Sequence, residues 1–128
     1  MTELAAWAAV LGFIGLMCFQ LLLALGFPYG QAAWGGKYIK LPSNLRIASL
    51  FSAVVFVVAS LFVLERADIL TVFNSSTVVT IGVWILVAFL GLNTLGNFAS
   101  KSRVEKRIMT PISLTLALLC LIVAITAN

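Results

Sequence analysis

Four long apolar runs, separated by three shorter segments that are rich in polar and turn-forming residues, dominate the pattern of this chain. The runs cover residues 4–26, 44–64, 77–96 and 111–126. A helix needs about 20 apolar residues to cross the hydrocarbon core of a bilayer. The pattern therefore predicts an all-α, polytopic membrane protein, in which residues 1–128 form a single domain, a bundle of four transmembrane helices.

The composition indicates that lipid is the solvent of most of the surface. Of the 128 residues, 62% are hydrophobic and 9% are charged, whereas a soluble domain carries about 25% charged residues. Cys18 and Cys120 lie within apolar runs and form no CxxC pair. Both cysteines are therefore expected to be small buried hydrophobes, and a thiol–disulfide enzyme is disfavoured.

The segment between the first two runs, residues 26–46, interrupts any helix and concentrates aromatic side chains. Its helix breakers are Gly26, Pro28, Gly30, Gly35, Gly36 and Pro42. Its aromatic residues, which suit the headgroup boundary, are Phe27, Tyr29, Trp34 and Tyr38. Either this loop lies at the interface, or part of it re-enters the bundle, which requires protein around its backbone polar groups.

The second run predicts a helix with a packing face of small and weakly polar residues. Ser43 is expected to be its N-cap. The face, which follows three- and four-residue steps, comprises Ser49, Ser52, Ala53, Phe56, Ala59 and Ser60.

The last loop leads into the fourth run through two local motifs. Ser102 and Glu105 have the spacing of a capping box, in which each side chain binds the backbone N–H of the other residue. Pairing with Arg46 is an alternative role for Glu105. At Thr110 and Pro111, either a new helix begins with Thr110 as its cap, or one continuous helix kinks at the proline.

Positive charge is confined almost entirely to one side of the predicted bundle. Seven of the eight basic residues lie in the first and last loops: Lys37, Lys40, Arg46, Lys101, Arg103, Lys106 and Arg107. Because cytoplasmic loops collect Lys and Arg, both termini are expected outside the cell. The same seven residues should attract anionic lipid of the cytoplasmic leaflet. So strong a bias disfavours antiparallel pairs, so a homo-oligomer would be parallel, and a larger membrane partner is the other expectation.

Polar side chains gather toward the same side, at the ends of the predicted helices. We expect a polar cavity that opens to the cytoplasm beneath residues 29–38, with Ser113 and Thr115 at the same depth. The candidate ligand-binding residues are Gln20, Tyr29, Trp34, Ser49, Ser52, Asn93 and Asn97. The alternative is that these groups only form hydrogen bonds between helices, each contributing about 0.6–2 kcal/mol.

No motif indicates catalysis, a cofactor, a metal site or a nucleic-acid partner. Histidine is absent, and no acid or lysine is predicted within the spans, where ionisable residues mark proton relays and ion-coupled transport. Hydrolases need an activated nucleophile, a base or a metal. The run Gly35-Gly36-Lys37 lacks the spacing of a nucleotide-binding loop.

Two loop motifs carry a resemblance that covers nearly the whole chain. The first is Gly26-x-Pro28-x-Gly30 with Trp34-Gly35-Gly36 and Leu41-Pro42-x-x-Leu45-Arg46, and the second is Asn93-x-x-x-Asn97-x-x-Ser100-x-Ser102-x-x-Glu105 with Pro111. With these motifs the chain resembles a family of small bacterial four-helix integral membrane proteins. The resemblance implies a multi-pass protein of the bacterial inner membrane, and it brings no activity and no functional residue with it.

Two classes of function remain. The first is a non-enzymatic membrane protein, which acts as an accessory component or binds lipid or a small ligand through its cytoplasmic loops. The second is a small transporter or channel whose polar path uses Gln20, Asn93 and Asn97. An enzyme acting on a lipid headgroup ranks last, because acid–base residues are missing from the predicted spans.

Overall fold

The computed structural model describes residues 1–127, which form four long helices and no strand. The helices are α1 (Thr2–Ala24), α2 (Ser43–Arg66), α3 (Ser76–Phe98) and α4 (Thr110–Thr126). The first loop contains two 3₁₀ turns, Gly30–Ala32 and Trp34–Gly36. A π-helical turn, Glu105–Met109, runs directly into α4. Helices α1, α2 and α3, and α4 together with the π-helical turn, are each long and apolar enough to cross a membrane, which confirms the predicted fold class.

The helices run up and down in chain order and form a closed ring of neighbours. α1 packs against α2 and α4, and α3 packs against the same two helices. At one end of the bundle, the hydroxyls of Thr2 and Thr126 share a hydrogen bond. At the other end, the Ser102 hydroxyl donates to the backbone oxygen of Gln31. Both basic loops therefore lie at one end, which we call the basic end, and Thr2 and Thr126 lie at the other, which we call the terminal end.

The core lies on the bundle axis and is built from apolar side chains of all four helices. The rings of Phe13 and Phe56 stack with centroids 5.9 Å apart, and Leu116 of α4 packs onto Gly12 of α1. Large apolar side chains also cover the outside, where Leu11 is 70% exposed and Leu92 is 69% exposed. An apolar outer surface of this kind suits lipid as the solvent.

The predicted packing face of α2 is correct, but its predicted cap is wrong. Ser49, Ala53, Phe56 and Ala59 are all buried. The helix begins at Ser43 itself, Pro42 occupies the N-cap position, and no side chain caps this end. Because Pro42 has no backbone N–H, this helix end has one donor fewer that needs an acceptor.

The C-terminal end of α1 is fixed by a turn that the sequence predicted only as a helix break. The N–H of Gly26 donates to Leu23 O, and that of Phe27 donates to Leu22 O, which is the double hydrogen bond of a Schellman motif. Gly26 has a φ of 96°, a conformation that a side chain disfavours. The helix therefore stops at Ala24, two residues before the predicted end.

Of the two arrangements predicted at Thr110 and Pro111, the structure has the single continuous helix. One 22-residue helix covers Glu105–Thr126, and Thr110 is no cap, because its hydroxyl is buried without a hydrogen-bond partner among the described residues. Proline lacks an N–H and its ring crowds the carbonyl of the preceding turn. The wider π-helical turn before Pro111 accommodates both effects, because its hydrogen bonds skip one further residue.

The two cysteines differ in environment, and one prediction about them is wrong. Cys120 is buried in the core, as expected, whereas Cys18 is exposed on the outer surface of α1. An apolar run predicts helix but does not reveal which face of that helix meets lipid, because both faces are apolar.

Candidate functional site

A cavity of about 330 Å³ lies at the basic end of the bundle, with walls from all four long helices and the first loop. This volume falls at the lower end of the range of about 300–1,000 Å³ that is usual for small-molecule sites. Its polar wall residues are Gln20, Trp34, Ser52, Asn93, Asn97, Glu105 and Ser113. Four phenylalanines also line it: Phe19, Phe51, Phe56 and Phe89.

The first loop folds over the helix ends and forms the roof of the cavity. The N–H of Gly30 donates to Ile39 O at 2.8 Å, which closes the loop on itself. Ala33 and Leu41 are buried against Leu23 of α1, which anchors the loop to the bundle. The roof is therefore a packed part of the fold.

Trp34 is held in the roof in an unusual backbone conformation. Its φ is 52°, a left-handed value that is rare for a bulky residue and costs about 1–3 kcal/mol. Its indole N–H donates to the Ser49 hydroxyl at 3.0 Å, and Ser49 is fully buried in α2. Ser49 therefore acts on the cavity only through Trp34, which it positions.

The two basic loops pack against each other directly. Beyond the hydrogen bond from Ser102 to Gln31, the Cα of Gly36 faces Ser102 so closely that an added Cβ would lie 2.3 Å from the Ser102 Cβ. This contact closes one side of the roof. It requires glycine at position 36, which also has a φ of 72°.

Half of the predicted capping box is present. The N–H of Glu105 donates to the Ser102 hydroxyl at 3.3 Å. The reciprocal bond is missing, since the N–H of Ser102 donates to the Ser100 hydroxyl at 3.1 Å. The Glu105 carboxylate is therefore free of the capping role that the sequence suggested.

Glu105 lies in the cavity wall and is 7% exposed. Its carboxylate makes no hydrogen bond and no ion pair with any residue in 1–127, and the residue lines the cavity. The predicted pairing with Arg46 is wrong, because Arg46 Nε donates to Ala24 O at 2.8 Å, at the end of α1. Glu105 is the first residue of the fourth membrane-length helix, Glu105–Thr126, which begins six residues before the predicted span.

Some of the polar wall residues already form hydrogen bonds between helices. Asn97 Nδ2 donates to the Ser113 hydroxyl at 3.1 Å and approaches Met109 O at 3.4 Å. The Thr94 hydroxyl also lies 3.1 Å from that of Ser113. For Asn97 and Ser113, the structural alternative raised by the sequence therefore applies. Ser52 is occupied within its own helix, where its hydroxyl donates to Ala48 O at 3.0 Å.

Three other polar residues of the wall form no hydrogen bond with their side chains in the described part of the chain. Within residues 1–127, the side chains of Gln20, Asn93 and Glu105 form no hydrogen bond, and Gln20 Oε1 is buried. They come from α1, α3 and the π-helical turn, so three separate elements present them to one cavity. Gln20 Oε1 is buried and Glu105 is 7% exposed, whereas Asn93 is exposed. Buried polar groups are nearly always satisfied by protein, water or ligand. We call Gln20, Asn93 and Glu105 the unpaired triad.

The structure brings together five of the seven predicted ligand-binding residues: Gln20, Trp34, Ser52, Asn93 and Asn97. Ser49 lies behind Trp34. Tyr29 is 50% exposed outside the cavity and stacks on Phe27. Thr115, predicted at the same depth, is exposed and bonds within its own helix.

The seven basic residues predicted to meet anionic lipid are all exposed at the basic end. Two of them lie over aromatic rings. Lys106 Nζ is 4.9 Å from the Phe98 centroid, and Lys37 Nζ is 5.5 Å from that of Tyr38. None of the seven lines the cavity.

Glu105 is the cavity residue that the sequence prediction missed. A signal was present in the spacing, because residues 105, 109, 112 and 113 fall on one face of a helix that continues through Pro111. Met109, Ile112 and Ser113 all line the cavity with Glu105. The predicted span began only at Pro111, with Glu105 in a separate capped turn, and this late start concealed the shared face.

Comparison of the chain with known protein families, curated proteins and solved structures finds no match. Within residues 1–127, no group of three or more His, Cys, Asp or Glu residues is placed to hold a metal ion. The geometry of the cavity is therefore the basis for a functional proposal.

Proposed function

We propose that this chain is a non-enzymatic membrane protein that binds a small polar ligand in the cavity beneath its first loop. The observation that carries the proposal is the unpaired triad, in which Gln20, Asn93 and Glu105 from three elements face one cavity without partners. Within the triad, Gln20 Oε1 is buried and Glu105 is 7% exposed, and a buried polar group left unsatisfied costs about 1–3 kcal/mol. A ligand that bonds to the triad offsets this cost, and a purely structural role does not.

The chemistry of the wall supports binding over catalysis. The wall contains one carboxylate and no cysteine, lysine or histidine. Acyl and phosphoryl transfer need a nucleophile with a neighbouring base, or a metal. Glu105 has no second acid–base group beside it in the wall with which to share such work.

We place the cavity at the cytoplasmic face, with both chain ends outside. The support is the charge of the basic end, which carries seven of the eight Lys and Arg residues, as cytoplasmic loops do. Each such residue attracts anionic lipid by about 1 kcal/mol near the surface. A bacterial inner membrane is the proposed location, and it rests on the resemblance of the loop motifs.

Access of a small molecule to the cavity tests this function. In a background of Cys18→Ser and Cys120→Ala, a Ser52→Cys variant should react with methyl methanethiosulfonate, a small neutral thiol reagent. Adding Asn93→Phe fills the cavity and should slow this reaction. The matched control, Leu92→Phe, changes the neighbouring residue, which is 69% exposed on the outer surface, and should leave the rate unchanged.

Two results would overturn the proposal. One is an unreactive thiol at position 52 in the folded protein, which would mean that the cavity is closed to ligands. The other is equal reactivity in the two phenylalanine variants, which would mean that the reagent reaches position 52 by a route outside the cavity.

A small transporter is the second candidate, and a second cavity favours it. A volume of about 210 Å³ at the terminal end is lined by Glu65, Arg66, Asp68 and Thr80, among others. The fully buried core, which includes Phe13 and Leu90, separates it from the first cavity. Two polar cavities on either side of a closed core suit alternating access better than an open channel. Flux of solute from reconstituted vesicles, lost in Glu105→Gln, would favour transport over binding alone.

A further inference from the structure

We infer that the ligand is a small organic cation, an alkylammonium group, and that Glu105 is its counter-ion. This inference rests on the proposed binding function and specifies the class of ligand for the same cavity. Three observations on the wall carry it: the sign of its charge, its aromatic rings and its unpaired amide oxygen.

The charge of the wall is opposite to the charge of its surroundings. Seven basic residues lie at this end of the bundle, yet no Lys or Arg lines the cavity, whose one ionisable residue is Glu105. The neighbouring cations are directed elsewhere, with Arg46 on the end of α1 and Lys106 over Phe98. A carboxylate that stays ionised when it is buried needs an opposite charge or hydrogen-bond donors beside it. A cationic ligand would supply the positive charge that no residue of the wall provides to Glu105.

The rings of the wall suit the alkyl part of such a cation. Trp34, Phe51 and Phe89 line the cavity with Glu105, and they are 40%, 70% and 43% exposed, so they stand at its open side. The face of an aromatic ring attracts a cation within about 6 Å of its centroid, and cages of such rings recognise quaternary ammonium groups. An anionic ligand would be repelled by the Glu105 carboxylate and would gain no attraction from the faces of these rings.

The unpaired amide oxygen completes the match. Gln20 Oε1 is a buried acceptor without a donor, so it can accept a hydrogen bond from an N–H or O–H of the ligand. The cavity volume of about 330 Å³ limits the ligand to a small one. The ammonium group can belong to a soluble amine or to a lipid headgroup, since both offer the same chemistry to the wall.

A pair of charged thiol reagents tests the sign of the ligand. Ser52→Cys, in the cysteine-free background, is treated with a methanethiosulfonate that carries trimethylammonium and with one that carries sulfonate. Ser43→Cys, exposed at the same end, corrects for the attraction of anions by the basic surface. Relative to Ser43→Cys, position 52 should favour the cationic reagent. Glu105→Gln should abolish that preference, and Glu105→Asp should retain part of it. Glu3→Gln removes the same charge at the terminal end and should not change it.

The outcomes separate the two claims. If neither reagent modifies position 52, the cavity is inaccessible and the binding function itself fails. If both reagents react with no preference that depends on Glu105, the cavity stands and the cationic ligand is wrong.

Protection of the thiol distinguishes the two sources of the ligand. In nanodiscs of phosphatidylglycerol, added choline or ethanolamine should slow modification of Ser52→Cys if the ligand is soluble. The neutral carbon analogue of choline, 3,3-dimethylbutan-1-ol, should not. If the ligand is a headgroup, nanodiscs with phosphatidylcholine or phosphatidylethanolamine should protect without any addition. Glu105→Gln should lose either protection. Absence of protection from both sources would overturn the inference.

Discussion

At the scale of single residues, the carboxylates of Glu105 and Glu65 lie in opposite environments. Glu105 is buried in the cavity wall without a partner in the described chain. Glu65 accepts hydrogen bonds from the backbone N–H groups of Val72, Phe73 and Asn74 at 2.6–2.9 Å. A residue kept for binding can lower stability, whereas a residue that organises a loop raises it.

Replacing Glu105 should therefore stabilise the unliganded protein. Glu105→Met keeps the length of the side chain and removes the unpaired polar group, so the free energy of unfolding should rise by about 1–3 kcal/mol. Glu65→Met, the matched control, removes three hydrogen bonds and should lower the unfolding temperature. Thermal unfolding in detergent, followed by circular dichroism without added ligand, measures both. A lower unfolding temperature in Glu105→Met would show that Glu105 is a structural residue.

The second prediction at the residue scale concerns the hydrogen bond from Trp34 to Ser49. Trp34→Phe removes the indole donor and Ser49→Ala removes its acceptor, so each should destabilise the protein. The two losses should not add, because either change breaks the same hydrogen bond. A double-mutant cycle should give a coupling of about 0.5–1.5 kcal/mol. Additive losses would show that the strained conformation of Trp34 is held by something else.

At the scale of elements, the helices follow from the sequence and the contacts of the loops do not. Apolar runs of membrane length leave the backbone no alternative to the helix in lipid, so all four helices were predicted to within a few residues at most ends. The face that each helix presents to its neighbours was predicted for α2, where small residues mark it. The exposure of Cys18 was not predicted, because both faces of α1 are apolar.

Contacts between elements also explain why the positions of Glu105 and of the Gly36–Ser102 contact were not predicted. Depth along the helices was enough to bring Gln20, Ser52, Asn93 and Asn97 together in one cavity. The orientation of Glu105 depends on a π-helical turn before Pro111, and capping motifs in the sequence compete with that path. The packing of Gly36 on Ser102 joins loops that are far apart in the chain, and no local pattern predicts it.

The contact between the loops is tested by two neighbouring glycines. Gly35 and Gly36 both have left-handed φ values, of 78° and 72°. An added Cβ at Gly35 meets nothing within 4 Å, whereas at Gly36 it meets Ser102. Gly36→Ala should therefore destabilise the protein by about 1–3 kcal/mol more than Gly35→Ala, the added loss being that of overpacking. It should also speed modification of Ser52→Cys by opening the roof. Equal effects of the two alanines would mean that the loops do not pack together.

At the scale of the whole molecule, the separation of charge between the two ends governs insertion. The basic end carries seven cationic residues and the terminal end carries Arg66 alone. This asymmetry predicts one orientation in the membrane. It also places the cavity, whose wall contains Glu105, at the end whose outer surface is cationic.

Labelling from outside intact cells checks the orientation. In the cysteine-free background, a membrane-impermeant maleimide should label Asp68→Cys, in the linker at the terminal end. It should leave Lys37→Cys and Lys101→Cys unlabelled until the cells are broken. Labelling of either basic-end cysteine in intact cells would invert the proposed orientation.

A crystal structure determined with choline bound tests the proposed site most directly. We expect density for the trimethylammonium group inside the cavity, against the Glu105 carboxylate and beneath Trp34, with the choline hydroxyl near Gln20 Oε1. A cavity that contains only ordered water at saturating choline, or choline bound only to the outer surface, would contradict the assignment of this cavity as a cation-binding site.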